Sequence, residues 1–171
     1  MIKQFIALSS IAVCCLGNPS HAFTPVNHWY KKLNSIGVTT MVQEKCSHND
    51  GHLATYNAYT NVMCITTEVT DQDLPTVLAH ESVHVLQDCI AGMSNGRVSS
   101  ITRFLSNGDR AKEKEMDRML IQRLHDENML NHVTTVTGGL KKPGAFSEVE
   151  AYALQTDPNT VFKLLMECKL I

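Results

Sequence analysis

His80-Glu81-Ser82-Val83-His84 fits the His-Glu-x-x-His pattern. On a helix, residues four apart share a face, so both imidazoles can point at one metal ion. Glu81 is displaced around the helix yet stays close to that ion, where it can polarise a metal-held water without being a ligand. The pattern implies zinc and a hydrolytic reaction. Two histidines leave a catalytic zinc site short of a third protein ligand, with water in the fourth position. A third His close downstream, as in HExxHxxGxxH, is excluded, because Gln87 stands at the Gly position and Ile90 at the His position.

A carboxylate from a later helix is the other route. Glu148 and Glu150 are the candidates, in Phe146-Ser147-Glu148-Val149-Glu150-Ala151-Tyr152. Glu148 shares a helix face with Ala151 and Tyr152, and a small Ala beside a ligand lets two helices approach closely. Glu150 has a competing use, since Ser147-x-x-Glu150 matches a capping box. Glu148 is therefore preferred, with Glu150 next and Asp88, His125 and His132 behind it.

The arrangement resembles the gluzincin metallopeptidases, in which a HExxH helix is completed by a Glu from a later helix, often as Glu-x-x-Ala. Here the matching segments are Thr76 to His84 and Glu148-Val149-Glu150-Ala151, within about residues 61–90 and 145–156. The resemblance implies that His80, His84 and Glu148 bind Zn2+ and that Glu81 is general base and proton shuttle for peptide-bond hydrolysis. It also implies that the strand around Asn61 to Thr67 is an edge that takes an extended peptide by β-addition. Some gluzincins carry an Asp four residues after the ligand Glu to orient a metal-binding His. Tyr152 stands there instead, which leaves the support behind the ligands unassigned. Tyr152, Tyr56, His125 and His132 are candidates to stabilise an oxyanion.

These residues need elements to position them. Residues 26–35 read as an amphipathic helix ended near Gly37, and Val38 to Lys45, Leu53 to Tyr59 and Asn61 to Val69 as strands. A turn is expected at residues 47–51. Asp71 or Asp73 can cap the motif helix, with Pro75 in its first turn and Gly92 as its stop. A charged helix follows Asp109, and Met116, Met119, Leu120 and Leu124 are its core-facing positions by spacing. Residues 131–144 read as a flexible connection, followed by a helix from about Ser147 and a last helix capped by Asp157-Pro158. The expected fold is α+β: a small antiparallel sheet packed on a zincin-like active-site helix, with further helices C-terminal.

Composition bounds the rest. The 171 residues suffice for one domain, and a formal charge of −2 argues against an electrostatic nucleic-acid binder. Lys3, the apolar run Phe5 to Leu16 and Ser20-His21-Ala22 read as a signal peptide over 1–22, leaving a single domain over 23–171. That run of about 12 residues is short of the roughly 20 a spanning helix needs, so no stable membrane insertion is expected after cleavage. Cleavage leaves Cys46, Cys64, Cys89 and Cys168, and in an exported chain these imply two disulfides, preferably Cys46–Cys64 and Cys89–Cys168. His28, His48 and His52 are expected at the surface. The expectation is thus a secreted or periplasmic zinc metallopeptidase acting on a peptide or protein substrate. Its alternatives are a disulfide-stabilised binding protein with a structural metal or an inactive peptidase fold, and a zinc hydrolase of non-peptide amides. Substrate specificity and oligomeric state are not legible.

Overall fold

A computed structural model of the chain describes residues 25–46, 52–93, 95–142 and 144–168. The expected signal peptide, the turn at 47–51 and His48 lie outside the described residues. The elements are α1 (Val26–Ser35), β1 (Thr39–Gln43), β2 (Ala54–Asn57), β3 (Val62–Thr66), α2 (Leu74–Ala91), α3 (Ile101–Leu105), α4 (Arg110–Asp126), α5 (Leu130–Thr137), α6 (Ala145–Leu154) and α7 (Pro158–Glu167). The fold is α+β, with the helices of the C-terminal half following the sheet and α2.

The sheet order is β1-β3-β2. β2 and β3 pair antiparallel as expected, but β1 joins β3 in parallel, so the sheet is mixed rather than wholly antiparallel. The central place of β3 explains its composition. Met63, Cys64, Ile65 and Thr66 are all buried, a run without alternation, as a strand covered on both faces requires. The expected edge role of residues 61–67 is therefore corrected: both sides of β3 are already paired, and β2 is an edge.

α2 runs through the middle of the main core. Leu78, Ala79, Val83 and Val85 are fully buried around it, together with Trp29 and Leu33 of α1 and Val161 and Leu165 of α7. Pro75 sits in its first turn, and Gly92 ends it with φ +102°, a conformation that L side chains resist. Asp73 occupies the N-cap position without capping; its carboxylate accepts the Thr70 hydroxyl at 2.7 Å. The expected caps do form elsewhere. Asp109 accepts from the Ala111 and Lys112 amides, and Asp157 from the Thr160 amide.

A second, smaller core joins Leu124 of α4, Val133 of α5, and Val149 and Ala153 of α6. It corrects two expectations. Residues 130–137 are helical rather than a flexible connection, because Val133 is buried there; the Thr134, Thr135 and Thr137 hydroxyls turn back onto carbonyls one turn earlier. In α4, Leu124 is buried and Leu120 half-buried against this core, whereas Met119 is exposed. α6 lies between the two cores, with Ala151 facing the first and Val149 and Ala153 the second. Both expected disulfides, Cys46–Cys64 and Cys89–Cys168, are formed. The second ties the end of α2 to the residue after α7.

Candidate metal centre

α2 presents His80 and His84 on one face, their ring centroids 5.1 Å apart. α6 brings Glu148 to them from its first turn. Glu148 Oε2 is 3.5 Å from His80 Nε2, and Oε1 is 3.4 Å from His84 Nε2. Metal–donor bonds of about 2.0–2.1 Å at tetrahedral angles place donor atoms roughly 3.4 Å apart, close to these two nitrogen–oxygen separations, which involve different oxygens of Glu148. The group can hold a metal ion, with one donor atom from each of the three residues lying within 4.8 Å of the others. The fully buried Ala151 on the same side of α6 permits the close approach of α6 to α2.

The other candidate ligands lie elsewhere. Glu150 is fully buried and turned to α3, where it accepts from the Ser100 hydroxyl at 2.8 Å, the Ile101 amide at 3.1 Å and the Thr102 amide at 3.0 Å. It caps α3 rather than its own helix. Ser147 bonds the Gly144 carbonyl instead, so the capping box expected from the sequence does not form. Asp88 accepts the Tyr56 hydroxyl at 2.7 Å, which engages that tyrosine away from the three residues. His125 is exposed at the end of α4, beside Asp126. His132 does come near, with its Nε2 3.2 Å from the Tyr152 hydroxyl, and the Tyr152 ring packs edge-on against His80 at 4.6 Å.

The support behind the histidines is built from glutamines. His80 Nδ1 is 2.9 Å from Gln155 Oε1, and His84 Nδ1 is 2.9 Å from Gln87 Oε1. Spacing carried a signal for both. Gln87 is three residues beyond His84, and Gln155 is seven beyond Glu148, two turns along the same stripe of α6.

The three residues and Glu81 open onto a cleft of about 290 Å³. Its walls include His52, Ala54, Thr55 and Tyr56 on the β2 side, and Val98 and Val136 from the helical half. His52 is exposed as expected, yet it lines this cleft. Glu81 is buried, and burial pushes its carboxyl upward; His84 and His80 oppose that, and Glu148 adds to it. For Glu148 burial acts upward too, but hydrogen bonds and charge from His80 and His84 hold it well below the usual carboxylate range. His84 is pushed up to about 9, burial opposing the charge and Glu148, Glu81 and Gln87 together outweighing it. No protein-family model, curated protein or solved structure matches this chain.

Proposed function

We propose that this chain is a zinc-dependent metallopeptidase of the gluzincin kind, exported to an oxidising compartment. The convergence of His80, His84 and Glu148 on one point of an open cleft, with Glu81 beside them, carries the reading. A structural zinc site is closed by four protein ligands, whereas three ligands facing a cleft leave a position for a reactant. Zinc held there supplies a Lewis acid for a carbonyl oxygen and acidifies a water.

Glu81 takes a proton from the attacking water and delivers it to the leaving amine. Its buried position, which raises the carboxyl above its ordinary value, suits it to carrying that proton. Tyr152 stands beside His80, with His132 at its hydroxyl, and that hydroxyl can donate to a developing oxyanion. β2, an edge strand along the cleft, offers backbone groups to an extended peptide. Two disulfides fit an exported protein, and among the described residues no helix is long and apolar enough to cross a membrane.

Metal analysis and peptide hydrolysis, measured on the parent and on Glu81→Gln, test the proposal. The parent should hold one zinc and cleave members of a peptide library. Glu81→Gln should hold the same zinc and lose turnover by about 10²–10⁴-fold. A parent without zinc overturns the metal centre. Zinc with no hydrolysis across the library overturns the peptidase and favours a binding protein with a structural metal.

A further inference from the structure

The two histidines are not held alike. Gln87 and Glu150 are both fully buried, and the Gln87 nitrogen donates to Glu150 Oε2 at 2.8 Å and to the Ser147 carbonyl at 3.0 Å. An amide nitrogen has two N–H groups, and both are assigned to oxygens that only accept. A flipped amide would press its oxygen against those two oxygens in a dry interior, which is costly. Glu150 is itself pinned by the donors at the start of α3. Gln155, behind His80, is not anchored this way: the partner of its nitrogen among the described residues is the weak acceptor Met129 Sδ at 3.9 Å.

We infer that Glu150 is a positioning residue which, through Gln87, holds an N–H on His84 Nδ1 and so keeps Nε2 as the nitrogen turned to the point shared with His80 and Glu148. Gln87 Oε1 can only accept, so His84 Nδ1 must donate across their 2.9 Å contact. A metal ion would displace the proton that Nε2 shares with Glu148, and with the remaining N–H held on Nδ1 the nitrogen left to ligate is Nε2. His84 is locked in this form from behind, while His80 depends on an amide free to turn. The inference rests on the metal centre proposed above, since it assigns what prepares one ligand of it.

The test uses the full chain loaded with excess zinc, in the parent, Glu150→Gln and Gln87→Met. Glu150→Gln puts an N–H₂ where only acceptors stood and lets Gln87 flip. Gln87→Met removes the link while leaving the Glu150 contacts with α3 in place, so it serves if the first variant does not fold. Zinc affinity is read by chelator competition, and solvent exchange of the His84 Nδ1 proton by ¹⁵N-resolved NMR. Each folded variant should bind zinc about 10–100-fold more weakly and exchange the His84 proton faster, with the His80 proton unchanged. A purely structural role would lower the Tm of metal-free protein and leave both readouts at parent values, and that result overturns the relay alone. A parent that binds no zinc overturns the metal centre and the relay with it.

Discussion

At Glu148 burial favours the neutral acid and two imidazoles favour the carboxylate, and the imidazoles prevail. The same contacts raise His84 to about 9. In metal-free protein near neutral pH, His84 therefore holds a proton where the proposed zinc would sit. The two groups act on stability in opposite pH ranges. His84 is raised above its ordinary 6.5, so its contribution is complete below 6.5 and lost as pH rises through about 9. Glu148 is lowered from 4.5, so its contribution is complete above 4.5 and lost as pH falls through its depressed value. The Tm of metal-free protein should thus decline between pH 6.5 and about 9. Zinc replaces the proton on His84, so the loaded protein should lack that decline, and zinc uptake at pH 7 should release protons. Thermal scans with and without chelator decide it, and a metal-free Tm flat over this range would contradict the His84 shift. Of these residues, the sequence pattern displayed the histidines, Glu81 and both acidic candidates. Gln87 lay within reach of His84 by spacing, but its anchoring by Glu150 comes through the fold rather than along the chain.

Elements with local signals were legible, and those made by distant packing were not. Pro75 and Gly92 bracket α2, and Asp109 and Asp157 mark the starts of α4 and α7 in residue types whose side chains bond the first free amides. α5 has such a signal only at its end, where Gly138 takes the left-handed conformation; no side chain caps its start. Its threonines and the Gly138-Gly139 that follow it suit a loop, and the segment is helical because Val133 finds Leu124, Val149 and Ala153. The pairing of β1 is equally non-local: nothing within Thr39–Gln43 specifies a parallel neighbour. The run Met63 to Thr66 did carry a signal for a central strand in its lack of polar alternation, and that signal points away from an edge. The caps give a test at this scale. Asp109→Ala removes bonds of 2.9 and 3.2 Å to two orphan amides and should cost about 1 kcal/mol, lowering Tm by about 2–4 °C. Asp73→Ala removes a carboxylate that caps nothing, and should cost less than about 0.5 kcal/mol. Equal losses in thermal unfolding would mean that the caps do not decide where these helices begin.

Across the whole molecule, the proposed metal centre depends on α2 and α6 keeping their separation, and two packed regions and two cross-links share that task. α6 is gripped by both cores, so the backbone that carries Glu148 cannot move from α2 without disturbing one of them. The cross-links restrain very different lengths of chain. Cys46–Cys64 spans 18 residues within the sheet region, and Cys89–Cys168 spans 79, from the end of α2 past α7. Loop-closure entropy grows with the logarithm of the spanned length, which assigns about 3 kcal/mol to the shorter link and about 4.5 to the longer. Urea unfolding of Cys46→Ala/Cys64→Ala and Cys89→Ala/Cys168→Ala double variants should rank them in that order. The longer link encloses α6, so only its loss lengthens the free chain joining Glu148 to the histidines in the unfolded state. On the proposed function zinc binds the folded form selectively, and at 100 times its Kd it should restore about 2.7 kcal/mol to either variant without changing their order. If the sheet-region variant proves the less stable of the two, restraint of the unfolded chain is not what these disulfides chiefly supply, and Cys46–Cys64 must instead hold native geometry at the start of the sheet.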